Sequence, residues 1–279
     1  MLTIRNYIAR TFVGTVGIPP WDRYQLTGSM TYYVRPDGSD TNTGTLNTTN
    51  GAFSTVQKAV DTVLQTLDTA GNAVTIKLAD GDYTSSVRIL YPTVGGGQIN
   101  IIGNTTTPTN VTMNMPTGSN AIWVDQCPSP VYVSGLKIQA PGSSALISGH
   151  GSFVQFGLLN FGLAGTHMYA YDGGYIQALS NYNISGRAEQ HINCQYRSII
   201  QLASALSINL SNTPSFAPFC YIADQSYVNC NSSAFTGSAT GQRYVVNRLS
   251  GVLTGLGDSN PNYFPGSVGG SVNQGSQYV

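Results

Sequence analysis

Four short stretches carry the same chemistry at the same offsets: Phe153-Val-Gln-Phe156, Tyr175-Ile-Gln-Ala178, Ile199-Ile-Gln-Leu202 and Tyr227-Val-Asn-Cys230. Each opens on a bulky apolar residue, continues with Val or Ile, then an amide, then another apolar side chain. Such alternation has the period of a β-strand. Val131-Tyr-Val-Ser134 reads as an earlier member when Val131 is set level with Phe153. Openings of this kind recur at Val74, Gln98, Val131, Phe153, Tyr175, Ile199 and Tyr227, separated by 24, 33, 22, 22, 24 and 28 residues.

A second set of columns lies upstream of the same openings. Seven residues before Phe153, Tyr175, Ile199 and Tyr227 stand Leu146, Met168, Ile192 and Cys220, a column Tyr244 continues, and five before them Ser148, Ala170, Cys194 and Ile222, a column Val246 continues. These are the inward candidates of a second strand, and the residues between them are mixed, as on an outer face. Recurrence every 22–28 residues with several short strands per repeat is the pattern of a parallel β-helix. One coil cannot bury its own inner face, so coils stack and like residues lie over like. Gln155, Gln177, Gln201 and Asn229 would then form an amide ladder. A β-sandwich predicts the alternation but not column identity at coil spacing. The expected fold is therefore all-β, a parallel β-helix over residues 74–250, about 40 Å long at the usual strand spacing.

Composition agrees. The 279 residues hold 12 Lys plus Arg and 12 Asp plus Glu, so only 9% are charged, against a usual share of about 25%. A neutral, charge-poor chain is unsuited to binding nucleic acid, which needs clustered Lys and Arg. No run of about 18 apolar residues is present, so no membrane insertion is expected. Residues 11–18 are too short and too polar for a secretion signal. Cys127, Cys194, Cys220 and Cys230 lack metal-ligand spacing and read as free, buried thiols.

Residues 1–30 show no periodicity and read as an arm, ending shortly after Pro19-Pro-Trp21. Residues 31–73 contain the one convincing helix, expected over 55–67, with Ser54 as cap and Gln57 closing a capping box. Val56, Ala59, Val60, Val63, Leu64 and Leu67 form its apolar stripe, which is expected to cover the first coil. Asp40, Asn42 and Gly44 hint at a calcium loop but lack its terminal Glu, and turn chemistry explains them. Residues 251–279 leave the coil pattern and are expected to be irregular.

The runs Tyr33-Val-Arg-Pro-Asp-Gly-Ser-Asp-Thr-Asn-Thr-Gly44, Ala52-Phe-Ser-Thr-Val-Gln-Lys-Ala-Val60 and Val74-Thr-Ile-Lys-Leu-Ala-Asp-Gly-Asp-Tyr83 resemble the N-terminal cap and first coil of right-handed parallel β-helix proteins. The likeness is to bacteriophage and prophage virion proteins, the tail spikes and tail fibres. Phe235-Thr-Gly-Ser-Ala-Thr-Gly-Gln-Arg-Tyr244 looks like this group too. The resemblance implies a right-handed helix with an N-terminal capping α-helix, a homotrimer on a virion, and an arm that docks to other virion proteins. It does not decide activity, because the fold serves both glycan-cleaving enzymes and structural fibres.

Three residues before Phe153, Tyr175, Ile199 and Tyr227 stand His150, Asp172, Tyr196 and Asp224, and Arg248 continues the column one coil on. Stacking would line these up at one turn, with Asp172 and Asp224 about 9–10 Å apart across two rungs. Inverting glycosidases use carboxyl groups about 6.5–9.5 Å apart. Asp172 and Asp224 are therefore the catalytic candidates, with His150 to orient one acid and Tyr196 or Arg248 to bind sugar. The plainer reading is a row of solubilising turn residues. His167 and His191 also stack, but without a carboxylate they read as surface or interface residues, and neither metal nor cofactor is expected. Phe153, Tyr175, Ile199 and Tyr227 should point outward as a subunit interface, or else as a platform for sugar rings. The 17 Tyr suit glycan contact. These features favour a structural attachment protein that meets a host-surface polysaccharide. The alternatives are a polysaccharide depolymerase, hydrolase or lyase, and a secreted bacterial polysaccharide-binding or degrading protein.

Overall fold

The computed structural model describes residues 23–255 and 260–279. The chain is all-β with a parallel β-solenoid of about eight turns. A ten-stranded parallel sheet runs the length of the stack, from Met30–Val34 through Val74–Leu78 to Gln277–Tyr278. Its register is the one the quoted stretches demand: Phe153 pairs with Tyr175, Tyr175 with Ile199, and Ile199 with Tyr227. The upstream columns also hold, with Leu146 over Met168, Met168 over Ile192, Ile192 over Cys220 and Cys220 over Tyr244.

The earlier coils correct the alignment by one place. Val131 pairs with Val154, not Phe153, and Ile99, not Gln98, pairs with both Val74 and Val131. Burial explains the slip. Val74, Ile99, Val131, Val154, Ile176, Ile200, Val228 and Val252 form one inward column, all essentially solvent-free. Moving a strand by one residue would turn that whole set outward. Each such side chain contributes roughly 1.5–3 kcal/mol by burial, so the register is strongly specified.

A third ladder completes the coil and went unread in the sequence. Asn160–Phe161 pairs with Asn183–Ile184, Tyr182–Ile184 with Ile208–Leu210, and Ser207–Asn209 with Ala234–Thr236. Two long strands, Lys137–Gly149 and Asn160–Tyr171, bend around the corner between this ladder and the next, with register shifts along the way. Their length hides the boundary between two faces.

At the N-terminal end the helix spans Val56–Thr66, with Val56, Ala59, Val60, Val63 and Leu64 buried against the strands Met30–Val34, Val74–Leu78 and Val87–Ile89. Its cap is Thr55, whose hydroxyl accepts from the Lys58 amide, and not Ser54. Asp40 displaces the expected capping box. One carboxylate oxygen accepts the Ser54 and Thr55 amides at 2.9 Å each, and the other the Thr55 hydroxyl at 2.7 Å. Gln57 turns instead to Asp61 and to the backbone of Arg88. Asn42 donates to the carbonyls of Thr49 and Ala52, so this polar loop is satisfied by the chain itself. At the helix C-terminus, Arg23 donates to the carbonyls of Leu64 and Leu67.

The expected arm lies largely outside the described residues. Of its described part, Tyr24–Gln25 pairs in parallel with Leu67–Asp68. Residues 251–279 are less irregular than expected: Gly251–Leu253 and Gln277–Tyr278 extend the main sheet, and Ser271–Val272 pairs with Val245–Val246.

Candidate functional site

The turn between the upstream ladder and the main sheet is built the same way in coil after coil. His150, Asp172, Tyr196, Asp224, Arg248 and Gln274 all have φ between 46° and 60°, in the left-handed region. The residue after each is left-handed too: Gly151, Gly173, Arg197, Gln225, Leu249 and Gly275. The second residue's amide donates to the first residue's carbonyl one coil on, as in Gly173 to Tyr196, Arg197 to Asp224, Gln225 to Arg248 and Leu249 to Gln274, at 2.9–3.1 Å. Beneath this row runs a ladder of serines that sequence reading missed. Ser226, Ser250 and Ser276 each accept, through the hydroxyl, the amide of the serine one coil earlier, at 3.2 Å. The signal was legible: a serine directly precedes Phe153, Ile199, Tyr227, Gly251 and Gln277. Tyr175 is preceded by Gly174, where a Cβ would lie 2.0 Å from the Ser148 carbonyl oxygen.

This double ladder fixes a row of side chains at rung spacing. Asp172, Tyr196, Arg197, Asp224, Gln225, Arg248, Leu249 and Gln274 line one open cleft of about 540 Å³. Four of the five candidate residues thus come together on it. The fifth, His150, stands one coil before Asp172, with its Nε2 3.4 Å from an Asp172 oxygen. Its Nδ1 donates to Asp125 at 2.7 Å, and that bond is the main cause of a pKa above the ordinary histidine value. Asp125 also accepts from the Tyr171 hydroxyl at 3.0 Å. It was not singled out in the sequence, because it ends a strand one coil earlier and lies off the row.

The cleft's two acids each face a basic side chain. Both Asp224 oxygens accept from one Arg248 nitrogen, at 2.9 and 3.0 Å, and Asp172 faces His150. Tyr196 is exposed and presents its ring to solvent. The cleft therefore offers fixed donors, fixed acceptors and an aromatic face.

On the main sheet Phe153, Tyr175, Ile199 and Tyr227 face outward as expected. Ile199 and Tyr227 are exposed, whereas Phe153 and Tyr175 cover each other, their rings stacked with centroids 4.9 Å apart. The amide ladder is shorter than its column. Gln155 donates to Gln177 at 2.9 Å, but Gln201 accepts from the Tyr175 hydroxyl and Asn229 from the amide of Asn231.

His167 and His191 overturn their surface reading: both are fully buried. They join in a chain of hydrogen bonds. His167 Nε2 donates to the Gly162 carbonyl at 2.7 Å, which leaves its Nδ1 to accept from His191 Nδ1 at 3.0 Å. His191 Nε2 then accepts from the Tyr182 hydroxyl at 2.9 Å. Every ring nitrogen is used by the chain, so neither imidazole is free to bind a metal. No metal-holding cluster of His, Cys, Asp or Glu occurs among the described residues.

No protein-family model, curated protein or solved structure matches the chain. The likeness to phage appendages rests on the residues quoted for it.

Proposed function

We propose that this chain is a structural phage virion protein of the tail-spike or tail-fibre kind, and that its turn cleft engages a host-surface polysaccharide for attachment. The observation that carries the reading is the cleft itself, in which exposed Tyr196 stands among polar side chains held at rung spacing by two hydrogen-bond ladders. Saccharides are bound by such a combination: an aromatic face for the ring's apolar side and fixed polar groups for its hydroxyls. Both acids of the cleft already have partners in the chain: Asp224 is tied to Arg248, and Asp172 faces His150. That pairing favours binding over cleavage. The resemblance supports a right-handed homotrimer, and the outward row of Phe153, Tyr175, Ile199 and Tyr227 supports burial of that face between subunits. The helix Val56–Thr66 is then a lid on the first coil, and the N-terminal arm docks to other virion proteins.

The second reading, a polysaccharide depolymerase, is favoured by one observation: Asp172 and Asp224 share a cleft two rungs apart. Incubation with host capsule or lipopolysaccharide separates the two. Attachment predicts retention of the protein on the polysaccharide with no oligosaccharide released. Release that disappears in Asp172→Asn or Asp224→Asn makes the protein an enzyme instead.

A further inference from the structure

The second position of the left-handed turn is glycine in three coils, at Gly151, Gly173 and Gly275, and none of these glycines lines the cleft. In the three coils between them it is Arg197, Gln225 and Leu249, at φ of 60°, 61° and 58°, and all three line the cleft. Glycine is the residue such a conformation favours, since any Cβ there is crowded by the backbone. Side chains persist at strained positions where the surrounding structure holds them, and such positions cluster at ligand sites. At this second turn position, side chains in place of glycine therefore stand on the three middle rungs of the cleft wall.

Arg197 differs from the other charges of the cleft. Asp224 is paired with Arg248 and Asp172 with His150, whereas Arg197 is exposed and has no ion-pair partner among the described residues. Its guanidinium is a planar fork of donors suited to a carboxylate. Beside it Tyr196 offers a ring, Gln225 an amide and Leu249 an exposed apolar side chain. Asp172, Asp224, Arg197 and Arg248 sum to zero formal charge, so an acidic ligand would be chosen by position and not by a broad positive field.

We infer that the cleft selects an acidic polysaccharide, one carrying a carboxylate on its sugar units, and that Arg197 holds that carboxylate while Tyr196 stacks on the ring. This rests on the saccharide reading above. The test is binding of the full-length protein to a panel of bacterial capsular polysaccharides, each acidic one presented both native and carboxyl-reduced. At least one acidic polysaccharide should bind, and reduction of its carboxyl groups should weaken binding tenfold or more. Arg197→Gly should cause the same loss for the native form and none for the reduced one. Because glycine relieves the backbone at that position, its melting temperature should hold or rise, so lost binding is not lost folding. Equal binding of native and reduced forms, or full affinity in Arg197→Gly, overturns the acidic selection and leaves the saccharide reading standing. Binding to none of the panel overturns both.

Discussion

His167 and His191 lie inside the solenoid as neutral imidazoles, packed among Phe161, Tyr182, Phe216 and Phe219. Burial pushes His167 down to about 4, and burial plus the neighbouring His167 pushes His191 well down too. Below the ordinary value of about 6.5 the unfolded chain takes up protons that the folded chain refuses. Stability is therefore whole above pH 6.5 and falls as pH drops toward 4, by about 1.4 kcal/mol per pH unit for His167 alone. Guanidinium titrations at pH 7.5 and 5.0 should show a loss of about 2 kcal/mol or more. The double variant His167→Gln/His191→Gln should lose less between the same two pH values. An equal loss in both proteins would mean the two imidazoles are not held neutral.

Among the elements, the strand Ile199–Leu202 shows how sharply register divides identical residues. Ile199 is 41% exposed on the outer face, and Ile200, next to it, is 0% exposed in the inward column. Ile200→Ala should lower the unfolding free energy by about 2–5 kcal/mol, the usual range for truncating a core aliphatic. Ile199→Ala should change it by less than about 1 kcal/mol in the monomer. If Ile199 sits in a subunit interface, the same substitution weakens the oligomer in sedimentation while leaving the monomer's stability alone. At the helix, Thr55 and Asp40 share the capping that Ser54 and Gln57 were expected to supply. Asp40 is fourteen residues before Ser54, so the local motif could not show which side chain would reach the helix start.

At the scale of the molecule, one continuous apolar core runs through the described coils and takes in all four cysteines, which are free and buried. Burial raises Cys127 to about 11 and Cys194 and Cys230 to about 12, and raises Cys220 as well. The thiolate is the reactive form, so a thiol reagent at pH 8 should label none of the four in the folded protein and all four in denaturant. Fast labelling of Cys194 or Cys220 in native conditions would place them outside the core and contradict the stacking.

The solenoid and most of its cleft were written in the chain as periodicity. Strand columns two residues apart and turn residues three before each opening are linear facts, and coil stacking turns them directly into neighbours. Where coil length varied more, as between Gln98 and Val131, spacing misplaced the register by one residue, and only burial of the whole inward column could set it. The sequence also determined that His167 and His191 would stack, but not that they would face inward, because a long strand bends there and alternation no longer marks a side. Only the tertiary structure paired Asp125 with His150 and Asp224 with Arg248, and left Arg197 without a counter-charge among the described residues. Those outcomes depend on side-chain directions across successive coils, which spacing along one chain does not contain.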